Sequence, residues 1–365
     1  MNLLIISHHQ DNHATVVATA AAELGHSVTL WAGPATSSAG SASVAIDDAG
    51  QEWTIGERRR PTDHFDAIWY RRRRPVALPD GIHPDDAAFA QTEVQEFYDD
   101  LWSIASPGTR WIHSPQATLT GEWKMRQLSI ARRLGFRIPP TLVGNDRDAI
   151  VRFISEANEH GAQVVYKTFS PMAWEEGARS RAMYTAPVTV EQIRSNAFIE
   201  AVPGIYQRRI AKAYEVRANF FGDAELSARI ESTSLTYGEE DWRAEIDLTG
   251  ILSPTTLPDA VKQRCRGMLK EMSLDMACFD FIVDEAGEYH FLELNPQGQF
   301  LWIEDDCPEI PMLDTFVEFL TQGRNPPGRA RLALSRVIDG PAHKAIAAAF
   351  LETRHVVVDG KGSAP

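Results

Sequence analysis

The chain has 365 residues, 44% of them hydrophobic, which suffices for two or three domains with a sizeable core and excludes disorder or a fibrous repeat as the default. Its 36 Lys and Arg against 50 Asp and Glu leave a net charge of −14, so the molecule as a whole repels polyanions and is expected to bind neither nucleic acid nor an anionic membrane. Cys265, Cys278 and Cys307 lack CxxC spacing and read as reduced, packed thiols. MNLLIISHH lacks the pattern of a signal peptide and no apolar run spans a bilayer, so the expected location is cytoplasmic.

NLLIIS reads as a buried parallel strand, ATVVATAAAELGH as a helix ended by Gly25, and SVTLW as the next strand. The Ser/Ala/Gly-rich stretch AGPATSSAGSASVAIDDAGQ predicts a surface loop. DAIWY resumes a strand, DDAAFAQTEVQEFYDDLWSIA has helical spacing, and TRWIHSP closes an N-terminal α/β unit. A second unit follows: GEWKMRQLSIARRLGF predicts a helix stopping at Gly135, a Pro-Pro bend leads into a strand, DRDAIVRFISEANEHG is a helix with an Asp cap, and AQVVYKTF is a strand. From residue 198, AFIEAVP, YQRRI, YEVRANFF and ELSARIES give strand signals, and VKQRCRGMLKEMSL gives a helix. No repeat is visible.

In CFDFIVDEAGEYHFLELN two apolar runs flank DEAGE, where Gly287 suits a tight turn, so the segment predicts an antiparallel hairpin. Pairing Glu285 with Glu288 and counting outward sets Asp280 opposite Glu293, with Asn295 on the same face by the period of two. Facing carboxylates repel unless a cation lies between them, and Mg²⁺ suits carboxylate and amide oxygens. On spacing alone the alternative is a solvated strand face with a raised carboxylate pKa.

Basic residues supply the other half of a phosphate site. Lys167 stands out of pattern inside VVYKTF, where phosphate could neutralise it or the chain could snorkel to water; Lys124 at a helix start reads more readily as an ordinary exposed helix residue. Arg217 lies mid-strand in YEVRANFF with Glu215 on its face, so the two suit either phosphoryl binding or one another; Arg229 and Arg243 are similar. His8, His9 and His13 read as a strand-end loop rather than a metal cluster. Arg71 to Arg74 read as a solvated face, or as arginines aimed at an anionic substrate. Neither GxxxxGK[ST] nor GxGxxG occurs.

Taken in order, Lys124, VVYKTF, YQRRI…YEVR, EDWR, FDFIV and FLELNPQGQFLWIE resemble the ATP-grasp superfamily. With IWYRRR, SPQATLTGEWKMRQLSIARRLGFRIPPTLV and NPQGQFLWIE, residues 1 to 322 are similar to the microviridin-type peptide ligases, or graspetide synthetases. The resemblance implies an α/β (α+β) ATP-grasp fold: an N-terminal Rossmann-like domain (1–115), a central domain (116–197) that docks a leader peptide, a C-terminal ATP-grasp domain (198–325) with the metal site, and a tail (326–365) without an assigned role. Under it, Lys124 and Lys167 contact ATP phosphates, Gln207 and the Ile210 backbone the adenine, and Glu215 the ribose. Asp280, Glu293 and Asn295 bind Mg²⁺, and Arg217, Arg243 and Arg229 steady the transferred phosphoryl group.

Such ligases turn an Asp or Glu carboxylate of a ribosomal precursor peptide into an acyl phosphate, releasing ADP. A hydroxyl or amine of the same peptide then closes an ester or amide. No enzyme nucleophile is needed. The leader would dock near SPMAWEEGARSRAMYTAPVTVEQI, where Glu175, Glu176 and Glu191 could meet basic leader residues or simply be solvated. The resemblance also suggests a homodimer. The alternatives are a ligase joining a small carboxylate to an amine, and a nucleotide-binding module without chemistry.

Overall fold

The computed structural model describes residues 1–33, 41–55, 65–72, 78, 81–104, 108–170, 173–176, 179–182, 185–234, 250–326 and 328–360, with only the backbone described across 173–176 and 179–182. The N-terminal unit runs β1 (Asn2–Ile6), α1 (Asn12–Glu23), β2 (Ser27–Trp31), β3 (Ala42–Asp47), β4 (Gly50–Ile55), β5 (Ala67–Tyr70), α2 (Pro84–Ile104) and β6 (Arg110–Ile112). β1, β2, β5 and β6 form a parallel sheet of continuous apolar runs. Asp11 caps α1, its Oδ1 accepting from the His13 N–H at 3.1 Å. The segment expected as loop carries the β3–β4 hairpin, because Trp53 and Ile55 alternate inward onto the Trp31, Tyr98 and Trp102 cluster.

Next come α3 (Pro115–Gly121), α4 (Lys124–Arg133), β7 (Thr141–Gly144), α5 (Arg147–Glu159), β8 (Val164–Lys167), β9 (Ala173–Glu176), β10 (Arg179–Ala182), β11 (Ala186–Val188), α6 (Val190–Ser195) and β12 (Gly204–Arg208). The central sheet has the order β11-β8-β12-β7, packed on α5 and α6 through Ile150, Ile154, Ile193 and Tyr206. Two expectations shift. AFIEAVP is a turn rather than a strand, since the Asn196 side chain accepts the Phe198 N–H at 2.9 Å and the Ala201 N–H bonds back to the Phe198 carbonyl at 3.0 Å. YQRRI, expected in the C-terminal domain, gives its first three residues to β12 of the central sheet, while α3 and α4, expected in the central domain, pack on the last sheet.

That sheet comprises β13 (Tyr214–Phe221), β14 (Ala224–Ile230), β15 (Leu252–Thr255), β16 (Met276–Val283) and β17 (Tyr289–Asn295), in the antiparallel order β15-β14-β13-β16-β17, with α7 (Asp259–Met272) preceding β16. One face buries Val216, Ala218, Phe279, Phe281, Phe291 and Leu294 against α4 and α7.

The chain returns through α8 (Leu301–Asp306), α9 (Met312–Leu320), α10 (Leu334–Asp339), α11 (Pro341–Thr353) and β18 (His355–Val358). The tail left without a role thus completes the first sheet: β18 pairs antiparallel with β2, and Ile346, Phe350 and Val356 share a core with α1. The three cysteines are free and buried. Among the described residues, no helix is long and apolar enough to cross a membrane.

Candidate active site

The β16–β17 hairpin sets the site. Its loop has three residues rather than two: Gly287 takes the left-handed region (φ +79°) and the Asp284 N–H bonds the Glu288 carbonyl at 3.2 Å. Pairs near the turn therefore slip by one from the expected register, to Val283 with Tyr289, Ile282 with His290 and Phe281 with Phe291. A bulge between Phe281 and Asp280 takes up Leu292 and returns Asp280 to Glu293. The expected acid pair forms because two deviations cancel. The bulge also keeps both Phe291 and Leu294 on the apolar face, so Glu293 and Asn295 point with Asp280 to the other.

On that face the Asn295 amide lies 3.2 Å from Asp280 Oδ2 and 3.3 Å from Glu293 Oε1. Each carboxylate also meets a cation. Arg217, opposite Asp280 on β13, donates through Nη1 to both Asp280 oxygens at 2.8 and 2.7 Å. Lys124 Nζ, on the first residue of α4, lies 2.5 Å from Glu293 Oε2. Burial pulls the Arg217 guanidinium down, but Asp280 and its neighbours outweigh that and hold it above its ordinary value. The residues thus fit a hard divalent cation: two carboxylates and, with the Asn295 amide turned to present Oδ1, a third oxygen. Among the described residues no group of three or more His, Cys, Asp or Glu could hold a metal; the third protein oxygen of this set is an amide.

Gln127, which the sequence disguises as a surface helix residue, fixes Lys124 against Glu293. Buried on α4, its amide donates to the Gly121 and Leu294 carbonyls at 2.7 Å each, and its oxygen accepts the Leu294 N–H at 3.0 Å, closing the free edge of β17.

The nucleotide candidates form a second group. Lys167 Nζ donates to Gln207 Oε1 at 2.8 Å, and Gln207 Nε2 to Thr141 Oγ1 at 2.9 Å, on the central-sheet face opposite α5. Ile210 lies on the connection from β12 to β13, which crosses from the central sheet to the last one. Glu215 is two ladder pairs along from Arg217, on the same face, but pairs with Lys212 at 2.5 Å, not with Arg217. Lys212 was not anticipated; a lysine three residues before an in-strand glutamate was its signal.

Other candidates fall elsewhere. Arg229 pairs with Val216, so it stands on the sheet face away from Asp280, over the Tyr214 ring at 3.7 Å and bonded to Glu231 at 2.5 Å. Glu191 is exposed in the first turn of α6. Arg243, and the side chains of Glu175 and Glu176 on β9, lie outside the described residues, as do Arg73 and Arg74. Arg71 does not face solvent: it is buried and paired with Asp11 at 2.9 Å. His13 is half-buried, its pKa held well below 6.5 by desolvation and by Arg71, so its neutral Nε2 accepts hydrogen bonds.

No protein-family model matches the sequence, and no curated protein matches it. Solved structures do. A RiPP-associated ATP-grasp ligase of Chryseobacterium gregarium, in complex with ADP and a leader and core peptide, has a TM-score of 0.76 at 22% identity, over 91% of this chain and 99% of that one. The macrocyclase MdnC of Microcystis aeruginosa MRC, bound with its precursor peptide MdnA, gives 0.72 at 24%, over 88% and 100%. The ATP-grasp ligase PsnB, complexed with a phosphomimetic variant of its minimal precursor, Mg and ADP, gives 0.64 at 19%, over 88% and 98%. The chain has the ATP-grasp fold, in the arrangement of these peptide ligases.

Proposed function

We propose that this protein is an ATP- and Mg²⁺-dependent ligase that cross-links side chains of a ribosomally made precursor peptide. The observation that carries the reading is the hairpin site: Asp280, Glu293 and Asn295 on one sheet face, with Arg217 and Lys124 against the carboxylates. The fold is that of ligases solved with ADP, Mg and precursor peptides.

In this reading Asp280, Glu293 and Asn295 would hold Mg²⁺, which would supply charge screening for the nucleotide phosphates. Lys124 exchanges Glu293 for phosphate, and Lys167 exchanges Gln207. Gln207 and the Ile210 backbone then meet the adenine, and Glu215 the ribose. Arg217, with Arg243, steadies the phosphoryl group as a peptide Asp or Glu carboxylate attacks it, giving an acyl phosphate and ADP. A peptide hydroxyl or amine then attacks the acyl carbon, phosphate leaves, and one ester or amide forms. Arg229 has no part in this, because it faces the other way. Glu191, with Glu175 and Glu176, belongs to the leader-docking side. Work inside the cytoplasm, as a homodimer, completes the proposal.

The test is mass spectrometry of candidate precursor peptides after incubation with the protein, ATP and Mg²⁺, with ADP followed in parallel. Loss of one water per link with matching ADP supports the peptide ligase. ADP release only with small carboxylates and amines would move the reading to a small-molecule ligase, and none with any acceptor would sink it.

A further inference from the structure

Five consecutive residues after β17 are each held through the backbone by a distant side chain. Arg71 Nη1 donates to the carbonyls of Gln297 and Gly298 at 3.2 and 3.4 Å. Arg217 Nη2 donates to the Gln299 carbonyl at 3.1 Å, and the N–H groups of Phe300 and Leu301 donate to His13 Nε2 at 3.0 Å each. The Gln297 side chain accepts from Trp69 Nε1 at 3.0 Å and donates to the Ile112 carbonyl at 3.2 Å. His13, Trp69, Arg71 and Ile112 belong to the N-terminal unit; Arg217 alone belongs to the last sheet. The loop is thus mounted on one unit and pressed against the other. It approaches so closely that a Cβ at Gly298 would lie 2.7 Å from Arg217 Nη2 and 2.6 Å from Cys278 Sγ.

We infer that Arg71 is a positioning residue for Arg217, acting through the Gln297–Gln299 backbone. The inference rests on the proposed role of Arg217 in holding the transferred phosphoryl group. Arg71 and Asp11 are 0% and 5% exposed at their side chains, and for stability alone an apolar pair would serve as well as so buried an ion pair. What an apolar pair cannot do is hold an aspartate and two successive carbonyls from one planar group. Lysine cannot do so either, since its ammonium lacks the rigid fork. With the loop fixed, the Gln299 carbonyl holds one side of the Arg217 guanidinium while Asp280 holds the other.

The test is a double-mutant cycle in the full chain with R71K, R217K and the double variant, reading affinity for Mg-ADP and for Mg-AMPPNP, which adds a γ-phosphoryl group. We expect ADP affinity to stay within about twofold throughout. AMPPNP affinity should fall about tenfold in each single variant and no further in the double. Multiplied losses in the double, or an R71K loss equal for both nucleotides, would overturn the inference. If R71K does not fold, D11N loosens the same guanidinium and should give the same γ-selective loss, absent in the R217K background. A wild-type protein that binds AMPPNP no better than R217K would instead overturn the reading of Arg217 itself.

Discussion

The pairs Asp11–Arg71 and Asp280–Arg217 grip one loop from opposite sides, and their electrostatics differ. Arg71 meets Asp11 through one contact, beside the repulsive Arg72; burial prevails and lowers the guanidinium to about 10. Arg217 meets both oxygens of Asp280 with Glu293 nearby, and the acids prevail over burial. The first pair is closed, at 0% and 5% side-chain exposure. The second keeps Asp280 at 18%, and Glu293 beyond it at 24%. A closed pair fixes geometry; an open one leaves its acids within reach of a metal ion once Lys124 turns from Glu293 to phosphate.

The comparison can be broken first at the open pair. Asp280→Asn keeps the shape but removes the charge, and turnover should fall about 10³-fold in the ADP assay; a loss below tenfold would show that no ion depends on it. At the closed pair, Arg71→Met leaves Asp11 buried and unpaired, so urea unfolding should report a loss of about 3–5 kcal/mol. Between the two, Gln127→Leu strands the backbone edge of β17 and frees Lys124 from its register. About 1–3 kcal/mol of stability should go, with a raised KM for ATP; an unchanged KM would separate α4 from the site.

Acid sharpens the contrast further. Burial and Arg71 keep His13 neutral in the folded chain, whereas the unfolded chain takes up its proton near 6.5. Because the unfolded state binds more protons below that point, stability is present above pH 6.5 and falls as pH drops, by at most about 1.4 kcal/mol per pH unit from this one group. H13Q retains an acceptor oxygen without titrating and should flatten the slope in urea unfolding between pH 7 and 5.5; an unchanged slope would place the effect elsewhere. Smallest of all, Arg229→Ala should leave turnover within about threefold, since its ion pair is exposed and on the far face.

The sequence carried most of what is local. The Asp146 cap of α5, the Gly135 stop after α4 and the strands around Arg217 and Asp280 follow from side-chain period and turn chemistry. The acid pair was legible too, although its register depends on a three-residue loop offset by a bulge at Leu292, a pairing that local pattern does not encode. Long-range closure was not legible. Nothing in HVVV says that it will pair with β2, which lies 324 or more residues earlier in the chain, and a buried Gln127 looks like any helix glutamine until the edge of β17 lies beside it. Arg71 hid in an arginine run for the same reason: its partners, Gln297 and Gly298, lie 226 and 227 positions away.

The most direct measurement uses a precursor peptide whose Asp and Glu side-chain carboxylates carry heavy oxygen, with mass analysis of the phosphate released as links form. The account predicts one labelled oxygen in phosphate for each link, because the carboxylate is phosphorylated and its oxygen leaves with the phosphoryl group. Links formed with unlabelled phosphate would contradict it, since the carboxylate would then never have taken the phosphoryl group that the Asp280, Glu293 and Arg217 site is proposed to deliver.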